Sequence, residues 1–230
     1  MVYIIIVRHG ETDFNKNNLI QGEEVDPPLN NMGIKQAQIT GKYLSTYFKF
    51  DKVYSSTLKR ASETAKIISK ENKYKDNIFK LNILKELKKG IFSGKDRKYT
   101  YNFIKNNKIL NKLSNTLKYD NLKYNLKYKK YYNIEAKILK QESYEKINEI
   151  INKIINIIKK ENKNLLIVTH GSLITSLISK LTNIINCVPK NIIPKKMANC
   201  HITIIEFKND KFKFLKTRDN KHLYKFYKKN

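Results

Sequence analysis

The chain has 230 residues, 40% of them apolar, which allows one good core with room for an inserted subdomain. Its formal charge of +27 would ordinarily suggest nucleic acid or an anionic surface as partner. The lysines, however, are spread over the whole length and interleaved with asparagine. They read as solvated faces, with nonspecific, salt-sensitive nucleic-acid binding and no specific nucleic-acid site expected.

Cys187 and Cys200 give no metal-ligand spacing and no disulfide framework, and they suit a reducing compartment. No apolar run approaches a membrane span, and the one at the N-terminus is too short for a signal peptide. A cytoplasmic chain without a membrane partner is the expectation. Of the 47 Lys and Arg, only four are Arg: Arg8, Arg60, Arg97 and Arg218. In so lysine-rich a chain, a retained arginine signals that the planar guanidinium fork matters.

In chain order, Tyr3–Val7 is an apolar run bounded by charge and glycine, and predicts a short buried strand. It runs straight into Arg8-His9-Gly10-Glu11-Thr12-Asp13-Phe14-Asn15. The glycine lets the backbone turn and approach a ligand, at the strand end where open α/β sheets bind ligands. A neutral His9 there is a competent nucleophile toward phosphorus, and Arg8 offers a fork of donors matching phosphate oxygens. A structural pair of surface residues after a strand is the alternative reading of this stretch.

A loop follows through Gln21-Gly22 to Asp26-Pro27-Pro28, where the prolines forbid helix. A helix is predicted from near Asn31, carrying Ala37, Gly41 and Leu44, and Phe50–Tyr54 predicts a second strand ending at Ser55-Ser56. Thr57–Ser69 has Leu58, Ala61, Ala65 and Ile68 on one helical face, with Ser56 as the expected N-cap and Arg60 in the first turn. That strand-to-helix junction aims Arg60 and free N–H groups toward the same sheet edge as Arg8.

Ile78–Leu81 is a candidate third strand, followed by Glu86 and glycine turns at Gly90 and Gly94. From Lys95 to Lys140 the chain turns to Lys, Asn and Tyr without glycine, which reads as an inserted helical cap, partly of low complexity. Its aromatics (Tyr99, Tyr101, Phe103, Tyr119, Tyr124, Tyr128, Tyr131, Tyr132) either pack the cap or line an entrance. Ser143–Lys160 predicts a long amphipathic helix with Ile147, Ile150, Ile151, Ile154, Ile155 and Ile158 inward. Leu165–Thr169 predicts a buried strand ending in His170-Gly171, with a helix from about Ser172 to Leu181. Ile202–Phe207 and Phe212–Lys216 read as a closing hairpin around Asn209-Asp210. The alternation implies an α/β fold, an open and mostly parallel sheet with helices on both faces. The boundaries are one domain over residues 1–230 with an inserted cap at about 95–140.

Two strands therefore end in His-Gly, at His9-Gly10 and His170-Gly171, with Arg60 at a strand-to-helix turn and Glu86 before a glycine turn. With Asn15, Gln21-Gly22, Pro28-Leu29, Ser56–Ala61, Leu84-x-Glu86, Glu142-Ser143 and Asn199–Thr203 in order, the chain strongly resembles the histidine phosphatase superfamily, also called the phosphoglycerate mutase-like family. The resemblance implies a two-step phosphoryl transfer. His9 attacks phosphorus and becomes phosphohistidine; Arg8, Arg60 and His170 clamp the oxygens. Glu86 protonates the leaving oxygen and then takes a proton from the attacking water. Asn15, Gln21, Gly22 and Gly171 match positions that contact phosphate or substrate. No metal and no cofactor is implied, the partner being a small phosphorylated metabolite; a homodimer is left open.

The mutases of the family follow the glutamate with an Arg-His-Tyr run and carry paired arginines in the insertion. Here Leu87-Lys88-Lys89 follows Glu86, and no arginine lies between Arg97 and Arg218. The expectation is accordingly a metal-independent phosphatase acting on small phosphoesters. A cofactor-dependent phosphoglycerate mutase is the alternative, and a non-catalytic protein that binds phospho-ligands or RNA the third reading. His201 is expected to begin a strand and His222 to lie in a basic tail.

Overall fold

The computed structural model describes residues 1–112, 133–134, 136–185 and 198–227. In chain order the elements are β1 (Val2–Arg8), α1 (Asp13–Lys16), α2 (Asn31–Tyr47), β2 (Lys52–Ser56), α3 (Lys59–Glu71), β3 (Ile78–Leu81), α4 (Arg97–Asn106), α5 (Tyr144–Glu161), β4 (Leu165–Thr169), α6 (Gly171–Ile185), β5 (Ile202–Lys208), β6 (Lys211–Asp219) and α7 (Tyr224–Tyr227). The chain divides into two compact units. The first comprises Met1–Asp13, Asp26–Glu86 and Ile151–Asn230; the second comprises Phe14–Val25 and Leu87–Ile150.

The first unit is built on one six-stranded sheet in the order β3-β2-β4-β1-β5-β6. The β3/β2, β2/β4 and β4/β1 pairs are parallel, and β5 and β6 close the sheet antiparallel, as the mostly parallel reading required. The apolar runs form the strands because both faces of a parallel sheet are covered, so alternation is lost. Ile4, Ile5, Ile6 and Val7 are all fully buried, each worth about 1.5–3 kcal/mol over an exposed side chain. Ile5 and Val7 share one core with Leu44 of α2, Ala61, Ala65 and Ile68 of α3, and Leu166 and Val168 of β4. The neighbouring Ile4, Ile6, Leu165 and Ile167 point the other way and are equally buried. Asn209 and Asp210 take φ of +49° and +58°, the conformation that a tight two-residue hairpin demands.

Several local expectations are revised. Helix α3 begins at Lys59, with Leu58 as its N-cap residue and no side-chain cap from it. Ser56 stays in β2, and the first helical amide, Lys59 N, instead donates to Asp26 Oδ1 at 2.7 Å. A carboxylate from a distant loop thus does the capping. In α5, Ile151, Ile154, Ile155 and Ile158 are buried as the periodicity predicts, whereas Ile147 and Ile150 are half-buried. Helix α6 starts one residue early, at Gly171 itself.

The second unit holds α4 and a small core of Phe92, Leu110 and Leu139, against which Ile20, Phe103 and Ile104 pack. Asp96 caps α4 by accepting from Tyr99 N at 2.7 Å. Phe103 stacks edge-on to Phe92, so it packs, while Tyr99 and Tyr101 are exposed. Tyr119, Tyr124, Tyr128, Tyr131 and Tyr132, like Cys187, lie outside the described residues. No helix among the described residues is long and apolar enough to cross a membrane.

Candidate active site

Strand register assembles the site. Arg8 of β1 pairs with Thr169 of β4, so the residues that follow, His9 and His170, emerge side by side. Their rings stand 5.2 Å apart, centroid to centroid, and both are buried. On the other flank Ser55 pairs with Val168, which brings Ser56 Oγ to 2.8 Å from His170 Nε2. The hydroxyl expected to cap a helix is therefore a partner of the second histidine.

His9 is oriented through its own neighbour: Nδ1 lies 2.7 Å from Gly10 O. A carbonyl oxygen can only accept, so Nδ1 carries the proton and Nε2 keeps its lone pair. Burial, then the Arg8 and Arg60 charges, hold the His9 pKa well below its ordinary 6.5, against a smaller opposing effect of the Gly10 bond. The imidazole is neutral at neutral pH, the form a nucleophile needs. Gly10 is required by space, since a Cβ there would sit 2.6 Å from Gly33 O.

Arg60, in the first turn of α3, is completely buried and has Asp26 Oδ1 3.8 Å from its Nη1. Burial lowers its pKa; Glu86, more strongly than Asp26, offsets part of that. Thr64, one turn on, accepts from Gly10 N at 2.9 Å and donates to Arg60 O at 2.7 Å, tying α3 to the nucleophile loop. Arg8 N donates to His201 O at 3.2 Å at the end of β1. Glu86 is 8% exposed and accepts from Ser172 N at 3.2 Å in the first turn of α6. Two residues earlier, Leu84 O receives Thr169 Oγ1 at 2.6 Å, so β4 anchors the turn that carries the glutamate. The buried Arg60 fork, the half-buried Arg8, two histidines, one carboxylate and the N-terminal turns of α3 and α6 can hold an oxyanion and move a proton beside it.

The first unit thus contains Arg8, His9, Arg60, Glu86, His170 and Gly171. Asn15, Gln21 and Gly22 belong to the second unit. There Asn15 O accepts from Asn18 N at 3.2 Å. Gly22 has a reason of its own to be glycine. A Cβ would collide with the Glu24 carboxylate, which folds back to accept from Lys89 N at 3.1 Å and Gly90 N at 2.8 Å.

Residues without an assigned part in the sequence also sit here. Thr64 and Ser56 carried the signal of lying one helical turn and one strand end from Arg60. Asn199 Nδ2 donates to His9 O at 3.2 Å and Gly10 O at 3.1 Å, a contact across 189 residues that no local pattern announces. His201 precedes β5, 1% exposed, and neither ring nitrogen has a hydrogen-bond partner among the described residues. His222 does more than end a basic tail: its Nε2 lies 2.9 Å from Thr40 Oγ1 and its ring stacks on Tyr43.

An α/β sheet whose strand ends carry paired histidines beside Arg8 and the buried Arg60 defines the class, and the comparisons with known proteins agree. The family model of the histidine phosphatase superfamily (branch 1) matches residues 4–108 and 115–220. The uncharacterized phosphatase PhoE of Bacillus subtilis is 30% identical over 234 residues, 99% of this chain and 100% of that protein. Fructose-2,6-bisphosphatase TIGAR of Xenopus laevis is 47% identical over 75 residues, 33% of this chain and 27% of its own length, so the match spans about a quarter of that relative. A phosphoglycerate mutase structure from Bacillus anthracis superposes with a TM-score of 0.76 at 25% identity, over 97% of this chain and 96% of that one. The Entamoeba histolytica phosphoserine phosphatase with 3-phosphoglyceric acid gives 0.70 at 22% identity, over 97% and 100%, a likeness of fold. The chain belongs to the histidine phosphatase superfamily, and its fold is phosphoglycerate mutase-like.

Proposed function

We propose that the protein is a metal-independent phosphomonoesterase working through a phosphohistidine on His9. The observation that carries this reading is the state of His9: neutral, proton on Nδ1, Nε2 lone pair available, with Arg8 and Arg60 charges close enough to depress its pKa. In the first step Nε2 forms a bond to phosphorus as the ester P–O bond breaks, and Glu86 gives its proton to the departing oxygen. In the second, water attacks phosphorus, Glu86 takes the water proton, and the N–P bond breaks to release inorganic phosphate.

Arg8, Arg60 and His170 clamp the equatorial oxygens and spread the transition-state charge, the part that magnesium plays in many other phosphoryl-transfer sites. Asn15, Gln21, Gly22 and Gly171 contact the phosphate or the remainder of a small phosphorylated metabolite. The chain acts as one domain over residues 1–230, with the region of about 95–140 as an inserted cap.

The likeness to the Bacillus anthracis mutase favours a second reading, transfer of the phosphoryl group back to a bound intermediate. That route needs the dephosphorylated acid held firmly and water excluded. Leu87-Lys88-Lys89 after Glu86 supplies lysines, which fix a planar carboxylate less well than arginine forks. One preparation assayed for phosphate release and for 3- to 2-phosphoglycerate conversion, with bisphosphoglycerate as primer, separates the two. Release is expected to exceed conversion by at least ~10-fold, a difference of about 1.4 kcal/mol between barriers. Conversion equal to release would make the protein a mutase.

A further inference from the structure

The Gly10 peptide is gripped from both ends by side chains far away in sequence. Its N–H donates to Thr64 Oγ1 at 2.9 Å, and its oxygen receives Asn199 Nδ2 at 3.1 Å. The same amide nitrogen reaches His9 O at 3.2 Å, and Cys200 N donates to His9 O at 3.3 Å. Both acceptors facing Asn199 are carbonyl oxygens, so its NH₂ must point at them; an amide oxygen there would face two like dipoles. Gly10 O is also the oxygen that His9 Nδ1 meets at 2.7 Å.

We propose that Asn199 is a positioning residue for the nucleophile: by pinning the Gly10 carbonyl it decides which ring nitrogen of His9 carries the proton. This rests on the reading of His9 as nucleophile. Glycine has little intrinsic preference for one peptide orientation, so the plane that follows Gly10 is held by outside contacts: Asn199 Nδ2 on its oxygen, and Gln36 Oε1, which accepts from the Glu11 N–H of the same plane at 2.9 Å. With the carbonyl fixed, Nδ1–H has an acceptor and Nε2 is left bare for phosphorus. With the Asn199 contact gone, the plane is held only through the Glu11 N–H, the bond from the buried Nδ1–H weakens, and the other tautomer, whose Nε2 cannot attack, becomes competitive. The same contact acts again after transfer. Phosphorylated at Nε2 and protonated at Nδ1, the ring is cationic, and its bond to a fixed carbonyl becomes charge-assisted. Asn199 does not touch the reacting nitrogen, and so acts through the His9 and Gly10 carbonyls.

The test uses Asn199→Asp, which keeps the shape and exchanges the donor for an oxygen, with Asn199→Ser as a second variant should the first fold poorly. Long-range ¹H–¹⁵N spectra of protein labelled at histidine nitrogen report the His9 tautomer directly, a readout that general loosening of the fold does not move. Wild type is expected to show a protonated Nδ1 and a bare Nε2; the variants should show mixed or reversed tautomers. Phosphoenzyme formation should slow at least ~10-fold, as wrong-tautomer substitutions do in other histidine sites, while the uncharged Asn199→Ser should still bind inorganic phosphate near the wild-type level because the arginine clamp is intact. A wild-type tautomer pattern with wild-type phosphorylation rate in both variants overturns the role of Asn199. The nucleophile reading is decided separately, by whether wild type forms a phosphoenzyme on His9 at all.

Discussion

His201 is the sharpest place to ask whether the electrostatics around Arg8 are as described. Its ring is buried without hydrogen-bond partners among the described residues, and burial, then Arg8, then Arg218 push its pKa down to about 3, with His222 adding a little. An unfolded histidine titrates near 6.5. Below that pH the unfolded chain binds a proton that the folded chain refuses. The stability contributed by the neutral ring is therefore complete above about pH 6.5 and is lost progressively as pH falls toward 3.

Between about pH 7 and pH 5 that loss comes to about 2 kcal/mol for this residue alone. His201→Phe keeps a buried ring and has nothing to titrate. Urea unfolding followed by circular dichroism, at both pH values, should show wild type losing about 2 kcal/mol more than the variant. Any direct effect of the phenyl ring on packing cancels in this difference. So do His9 and His222, whose pKa values are also lowered but which remain in both proteins. Equal losses in the two proteins, within about 0.5 kcal/mol, would mean that the ring is not held neutral by its burial and the nearby arginines, and the electrostatics of the site would have to be redrawn.

Arg8→Lys and Arg60→Lys keep the charge and lose the fork, and each should cost ~10²-fold or more in kcat/KM; near-normal turnover by Arg60→Lys would show that charge alone suffices. Glu86→Gln should slow hydrolysis of alkyl phosphoesters far more than of p-nitrophenyl phosphate, whose leaving group needs little protonation, and equal losses on both would remove Glu86 from the proton-transfer role. Excess EDTA should leave the rate unchanged; a rate restored only by added magnesium would contradict an arginine-and-histidine clamp.

Much of this arrangement was legible in the sequence because it is local. Four consecutive buried residues in β1 (residues 4–7) and four in β4 (residues 165–168) appear as unbroken apolar runs, and a histidine and a glycine follow each one residue later. The hairpin was legible because Asn209-Asp210 names its own turn. What escaped was set by tertiary contact. Ser56 stands where a cap would stand, yet its hydroxyl serves His170, and the helix amide is satisfied by Asp26, 33 residues away. Nothing near Asn199 or His201 in sequence indicates that the chain returns there to hold the His9-Gly10 backbone and to sit against Arg8. Ile147 and Ile150 fit the helical stripe of α5 and are half-buried, while Ile151, Ile154, Ile155 and Ile158 are buried.

The central claim is that His9 carries the phosphoryl group, and a rapid quench tests it most directly. Protein mixed with a labelled phosphoester, stopped in alkali and digested, should yield label on the peptide containing His9, stable to base and lost in acid. His9→Ala should yield none and should not turn over. Label on any other residue, or turnover that survives in His9→Ala, would contradict the account.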